Sequence, residues 1–271
     1  MKTKPFLRWA GGKTQLLPQL LEHVPKEFRS YHEPFLGGGA LFFALQPRFA
    51  ELGDMNPRLT NAYTCVAHRL QQTVKHLQTL ERSSECFYQQ RDLLNAEAVG
   101  VGSFYYNPEA AARFIYLNKT CFNGLWRESA SGKFNTPYGG DRKASIVDAE
   151  TLLACSIALS GCVTIRKESF EKVASRAKEN DLVYFDPPYM PVVKGSFVDY
   201  TSSGFGLLEH TKLRDIARDL KARGCHVIIS NSDTPQVREL YDGFRLHEVE
   251  ARRSVNSDGA GRGKVGELII T

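Results

Sequence analysis

The stretch Leu182-Val183-Tyr184-Phe185-Asp186-Pro187-Pro188-Tyr189 constrains the fold of this 271-residue chain more than any other. Its four leading apolar residues include two aromatics and one β-branched side chain, the make-up of a short buried strand. Two consecutive prolines lack amide hydrogens and restrict φ, so the strand has to stop at Asp186 and the backbone beyond it is stiff. Asp186, the Pro187 carbonyl and the Tyr189 ring then meet at the carboxyl end of a strand. That set suits a planar ligand with an exocyclic amino group: carboxylate and carbonyl accept its two N–H bonds while the ring stacks on its face. Taken alone, the eight residues fit an ordinary strand closed by a Pro-Pro turn equally well.

A second segment adds weight. Glu33-Pro34-Phe35-Leu36-Gly37-Gly38-Gly39 leads into an apolar helix over Ala40 to Leu45. Phe35, Gly37 and Gly39 form a glycine turn between strand and helix, where a nucleoside-bearing cofactor can lie against bare backbone. Phe49 to Asp54 reads as a further strand whose terminal carboxylate can accept from both ribose hydroxyls, at about the 20-residue separation such sites use. No second phosphate-binding element follows, so a nucleoside cofactor fits better than a dinucleotide. Gly11-Gly12-Lys13, ahead of a helix over Thr14 to Leu21, offers another close approach for a ligand without the spacing of a P-loop. A plain loop-helix junction is its other reading.

Asn56-Pro57 reads as N-cap and first turn of a helix with Leu59, Tyr63, Val66, Leu70, Val74 and Leu77 on one face. From there to about Ser145 strand signals vanish, and helices over Cys86 to Leu94 and Pro108 to Leu117 dominate. This predicts an α/β fold, a Rossmann-like sheet interrupted by a helical insertion. Within the insertion, Lys119 to Lys143 interleaves Arg127, Lys133, Arg142 and Lys143 with Phe122, Asn123, Trp126, Phe134, Asn135 and Tyr138, and Ser131-Gly132 marks the turn of a β-hairpin. A basic, amide-bearing hairpin has the size and chemistry to enter a DNA major groove; a solvated loop with aromatics tucked beneath it is the alternative. The α/β pattern resumes after Ile146, with strands at Val163 to Ile165, Cys225 to Ser230, Arg245 to Arg253 and Val265 to Ile270, and a helix over Leu207 to Arg223. Arg252, Arg253, Arg262 and Lys264, in and beside the loop Ser254 to Lys264, are candidates for phosphate contacts, or belong to a solvated loop.

A net charge of +5 is compatible with a polyanionic partner and does not demand one. Six cysteines without a Cys-x-x-Cys pair indicate neither a zinc knuckle nor a disulfide framework, and seven histidines without ligand spacing give no metal site. With no apolar leader and no run of about 18 residues fit to span a bilayer, the expectation is a cytoplasmic protein, monomeric by default.

In these segments, and in Arg8-Trp9-Ala10-Gly11-Gly12-Lys13, Asp54-Met55-Asn56, Tyr116-Leu117-Asn118, Phe122-Asn123-Gly124-Leu125-Trp126-Arg127, Phe134-Asn135-Thr136-Pro137, Ile229-Ser230-Asn231 and Arg252-Arg253-Ser254, the chain resembles the Dam-type DNA adenine-N6 methyltransferases of the α class, the D12 family. The motif order is that of the class. The resemblance implies S-adenosylmethionine as cofactor, no metal, and double-stranded DNA as partner. It implies that residues 1–55 and 146–271 form the catalytic domain and 56–145 the target-recognition domain, with its hairpin near 119–143. Trp9 and Lys13 would close over the methionine end of the cofactor, Phe35, Gly37 and Gly39 would line it, Asp54 would hold the ribose, and Ser169 and Phe170 would flank its adenine. Asp186, also next to the cofactor, and the Pro187 carbonyl would grip the target amino group, and Tyr189 would stack on an adenine flipped from the duplex. Arg8, Leu125, Arg127 and Pro137 would read GATC, with Phe122 intercalating beside Asn123. Arg8 stands where the family usually has Lys, Phe122 where it has Tyr, and Trp126 where a smaller residue is usual.

Three other readings fit the chain: the same chemistry at another DNA motif or on an RNA adenine, methylation of a protein glutamine amide, and an inactive DNA-binding relative. Asp186 stands where glutamine methyltransferases typically have Asn. Intact Trp9, Lys13, Asp54 and Asp186 argue against an inactive pocket.

Overall fold

Leu182–Phe185 forms strand β4, and all four of its residues are buried. A run of apolar residues without alternation can be accommodated only in the interior of a sheet covered on both faces, and β4 lies there in the computed structural model, which describes residues 3–97, 106–129, 131–140, 145–190, 205–252 and 264–271. Strands β1 (Tyr31–Glu33) and β5 (His226–Ser232) flank it in parallel, with Val183 in register with His32 on one side and Val227 on the other. The described sheet has seven strands in the order β3-β2-β1-β4-β5-β7-β6. Here β2 is Phe49–Asp54, β3 is Cys162–Lys167, β6 is Leu246–Arg252 and β7 is Lys264–Ile270, the last antiparallel to both β5 and β6. From β1 the chain moves outward through β2 and β3, then returns to β4 and proceeds outward the other way. β1 and β4 therefore bracket the switch point, outside whose carboxyl ends ligands bind in sheets of this kind.

Contacts divide the chain into two units, Met1–Gly12, Leu36–Arg48 and Leu52–Ser169 in the first, and Lys13–Phe35, Phe49–Glu51 and Phe170–Thr271 in the second. The second holds α1 (Leu17–Glu22), α8 (Phe170–Ser175), α9 (Leu207–Ala222) and α10 (Pro235–Leu240). Its core sets Val183, Phe185, Val227 and Ile229 of the sheet with Leu213, Ala217 and Leu220 of α9 and Val237 of α10, each large side chain worth about 1.5–3 kcal/mol of burial.

The first unit is largely helical: α2 (Ala40–Leu45), α3 (Pro57–His68), α4 (Leu70–Gln78), α5 (Ser84–Ala96), α6 (Pro108–Thr120) and α7 (Ala149–Leu159). Asn56 caps α3 as expected, its Oδ1 accepting from the Arg58 and Leu59 amides at 3.0 and 3.1 Å. The single helix expected through Leu77 is broken at Arg69, where φ is −135° and ψ 31°. The apolar stripe runs through the break, so both helices pack on α6. Helix α7 carries no clear one-sided periodicity. It is started by Asp148, whose carboxylate accepts from the amide and hydroxyl of Thr151.

Residues 121–138 double back on themselves. The Phe122 amide donates to Pro137 O, Asn135 to Arg127 O and Ser129 to Lys133 O, and Gly132 turns with φ of 73°. Bridges at Cys121–Tyr138 and Glu128–Phe134 make this a hairpin pinned at intervals, not a continuous ladder. Both readings of the segment meet here, because Phe134 is buried under the paired arms while Phe122 is half exposed. Arg142, Lys143, Arg253 and Arg262, and the side chains of Arg252 and Lys264, lie outside the described residues. Among the described residues no helix is long and apolar enough to cross a membrane.

Candidate functional site

In the second unit, Asp186 leaves the sheet at the end of β4 and meets Lys13, whose ammonium lies 2.6 Å from Asp186 Oδ1. The lysine is 6% exposed and the aspartate 19%. A cation this buried persists only with a partner. The same ammonium stands 4.6 Å from the centroid of the Tyr189 ring. One N–H donor is thus held between a carboxylate and an aromatic face, the environment the eight-residue motif predicts for an amino group. Burial raises the Asp186 carboxyl above its ordinary range, Lys13 draws it back down, and Glu267 adds to the rise.

Behind Asp186 lies a polar layer that sequence reasoning missed. The Tyr184 hydroxyl bonds Ser230 Oγ at 2.8 Å, Tyr31 donates to Glu33 Oε2 at 3.0 Å, and Tyr189 donates to Glu267 Oε2 at 2.6 Å. Tyr31 and Tyr184 are fully buried, which raises their phenols well above the usual range and keeps them protonated donors. Alternation along β1 sends Tyr31 and Glu33 to one face and His32 to the other. That was the available signal for the Tyr31–Glu33 pair; Glu267 had none.

Next to Asp186 in the same unit, Phe35 packs edge-on to Phe185 and lies nearly parallel to Phe170, ring centroids 5.4 Å apart. Phe205, not singled out from the sequence, stands edge-on to both. His210 backs Phe205 at 4.8 Å, and burial pushes its pKa down to about 4, so it is neutral at pH 7. Such an aromatic cluster offers flat apolar faces of the size of a purine.

In the first unit, the glycine turn carries the remaining cofactor candidates. Gly37 has φ of 45°, and a Cβ there would lie 2.8 Å from Cδ1 of Trp9, so only glycine lets the indole close on the turn. Asp54 Oδ2 accepts from the Gly37 amide at 3.1 Å and Oδ1 from the Asn56 amide at 2.9 Å. Tyr63 donates to Gly37 O, and Gly39 begins α2 with φ of 65°. Two backbone bonds fix the Asp54 carboxylate while leaving acceptor capacity on each oxygen. Ser169 sits half-buried just before α8.

The recognition candidates gather in this unit as well. The fully buried Asn118 clamps the Arg8 backbone, accepting its N–H at 2.9 Å and donating to its carbonyl at 2.7 Å. Arg8's side chain then crosses Gly124, where a Cβ would lie 2.5 Å from its Cδ. This brings Arg8 to the hairpin arm holding Phe122, Asn123 and Leu125, while Pro137 faces Phe122 across the arms. Arg127 donates from Nε to Asn135 Oδ1 at 2.7 Å, an exposed pair that fixes the guanidinium by one edge. Trp126 lies between Phe114 and Phe134, with centroids 4.3 and 4.2 Å away. The large residue at 126 therefore anchors the arm.

Comparison with known proteins identifies the family. Residues 9–255 match the model of the D12 class N6 adenine-specific DNA methyltransferases. The chain is 37% identical to the type II methyltransferase M1.LlaDCHI of Lactococcus lactis subsp. cremoris, over 99% of this chain and 95% of that one. It is 36% identical to the type II methyltransferase M.MjaIII of Methanocaldococcus jannaschii, over 100% and 99%. With the DNA adenine methylase of Escherichia coli (strain K12) it shares 34% identity over 99% of this chain and 95% of that one. A strand ending in Asp-Pro-Pro-Tyr at the switch point, a glycine turn beside a fixed carboxylate and a match along nearly the whole chain converge: the protein belongs to the D12 class of N6 adenine-specific DNA methyltransferases.

Proposed function

We propose that this enzyme methylates N6 of an adenine swung out of double-stranded DNA within the sequence GATC, acting as a monomer in the cytoplasm. Its family implies S-adenosylmethionine as methyl donor, which supplies an electrophilic methyl on a sulfonium. Residues of each unit, taken by itself, fit a part of that group: in the first, Asp54 has spare acceptors for ribose hydroxyls, Gly37 and Gly39 expose backbone and Trp9 closes on the turn; in the second, Phe35 and Phe170 are aromatic candidates for its adenine. Residues 1–55 and 146–271 would carry catalysis and 56–145 target recognition.

The observation that carries the reading is the ammonium of Lys13 between Asp186 and Tyr189. It stands where the target amino group must stand, against the carboxylate and beside the ring face. Adenine N6 is a poor nucleophile because its lone pair is delocalised into the ring. Asp186 and the Pro187 carbonyl, by accepting its two N–H bonds, draw the nitrogen toward tetrahedral geometry and aim the lone pair outward, while Tyr189 fixes the base plane. After transfer the cationic amine gives up a proton readily, and Asp186 is placed to receive it. Lys13 has to swing aside for the base to enter.

Asp186 offers its charge to N6 and can take up the released proton only when ionised, and its carboxyl is raised. The acid limb of kcat/KM is therefore expected above the ordinary carboxylate value of 3.8, with activity lost as pH falls through it. Lys13→Met removes a charge that lowers this pKa, so the limb should move to higher pH. A pH profile in which it stays put or moves down contradicts the assigned pairing.

GATC is tested with plasmid DNA from a methylation-free host expressing the chain. Resistance to a GATC endonuclease blocked by N6-methyladenine is expected, and full cleavage rejects the motif. Arg127→Ala should keep cofactor binding and narrow the rate difference between GATC and single-mismatch sites by about 1–3 kcal/mol; an unchanged ratio removes Arg127 from base reading.

A further inference from the structure

Glu267 lies on β7, far in sequence from the Asp-Pro-Pro-Tyr segment, and in register with Ser232 at the carboxyl end of β5, the strand beside β4. Its Oε2 accepts a 2.6 Å bond from the Tyr189 hydroxyl. Tyr189 follows two prolines, the first of them buried, so its backbone is held and the ring's remaining freedom is rotation about its own side-chain bonds. A bond at the far tip of the ring restrains those rotations most effectively. Burial, Asp186 and Glu267 all raise the phenol of Tyr189. The hydroxyl thus stays a donor and the carboxylate its acceptor, a charge-assisted pair of the short, strong kind. Lys13 stands over the face of the same ring, so tip and face are set by two different groups.

We propose that Glu267 is a positioning residue for methyl transfer, its carboxylate fixing the plane of Tyr189 on which the target adenine stacks. The inference rests on the adenine-methylating reading above and extends it to a residue outside the motif. A ring free to rock would let N6 drift from the line of transfer, and a misplacement of about 1 Å costs on the order of a hundredfold in rate. The sheet is a suitable mount, because β7 is hydrogen-bonded to strands on both sides.

The test measures kcat, the KM for S-adenosylmethionine and the melting temperature on plasmid DNA for wild type, Glu267→Ala, Glu267→Gln, Tyr189→Phe and the Tyr189→Phe/Glu267→Ala double variant. Glu267→Ala should lower kcat by about ten- to a hundredfold with the cofactor KM unchanged. Glu267→Gln, which keeps an acceptor oxygen, should recover part of the loss. Tyr189→Phe keeps the ring and loses the hydroxyl, so it should match Glu267→Ala, and the double variant should be no worse than either single. Wild-type kcat in Glu267→Ala, losses that multiply in the double variant, or a loss that merely follows the melting temperature would overturn the assignment. Wild type that transfers no methyl group to DNA overturns the functional reading itself, and this inference with it.

Discussion

Asp186→Ala is expected to cut methyl transfer by about a thousandfold, the upper end of what removal of one pre-set charge-stabilising group costs, while DNA and cofactor still bind. Two effects combine in that number. The target amino group loses the acceptor that draws N6 toward tetrahedral geometry, and the proton released on transfer loses its nearest base. The substitution also strips the partner from the Lys13 ammonium, which is only 6% exposed, so some stability is lost together with activity. Asp186→Asn separates the two. It preserves volume and one acceptor oxygen but lacks the charge, and it should fold closer to wild type while remaining at least about a hundredfold slower. Single-turnover transfer rates, with melting curves on the same preparations, decide the matter. An Asp186→Ala enzyme keeping more than about a tenth of the wild-type rate would remove this carboxylate from the chemistry.

The largest expected effect on stability lies away from the chemistry, at Asp181. This residue is fully buried just ahead of β4 and takes bonds from three residues. Arg29 reaches it with two bonds of 3.0 and 2.8 Å, His32 Nε2 lies 3.0 Å from Oδ2, and the Lys178 amide donates at 2.8 Å. A carboxylate only accepts, so His32 must carry its hydrogen on Nε2; burial lowers the His32 pKa, with Asp181 acting in the opposite sense. Asp181→Ala orphans the buried His32 donor at about 1–3 kcal/mol and strips the acceptor from the Lys178 amide, on an exposed residue, at a smaller cost. Arg29 contributes less because it is 52% exposed and can return to water. The expected loss is about 3 kcal/mol, equivalent to a fall in melting temperature of about 6–12 °C for a chain of this size. A melting temperature within about a degree of wild type would show that the cluster is replaceable by water.

The sequence was most legible where one residue type has one physical meaning. Pro187-Pro188 end β4 at Phe185, Asn56-Pro57 open α3, and the glycines at 37 and 39 take the positive φ their turn requires. It was least legible where a pattern continues across a change in backbone. The stripe from Leu59 to Leu77 reads through the break at Arg69, and α7, apolar around much of its circumference, has no one-sided stripe to announce it. The site divides in the same way. Asp186 and Tyr189 were visible because they share a motif, and Lys13 because it follows two glycines. The pairing of Lys13 with Asp186, the seat of Tyr189 on Glu267 and the place of Phe205 beside Phe35 join residues far apart in the chain, and no local pattern encodes them. Trp126 is a related case: from the sequence it is a departure from the family, and its place between Phe114 and Phe134 gives the packing reason.

The most direct test of the central claim is single-molecule sequencing of plasmid DNA from a methylation-free host expressing the chain, with adenine-N6 modification read at every site and the Asp186→Ala variant run beside it. N6-methyladenine is expected at GATC throughout the wild-type sample, with none above background in the variant. Soluble wild-type protein that leaves every adenine unmodified, or equal methylation from the Asp186→Ala variant, would contradict it.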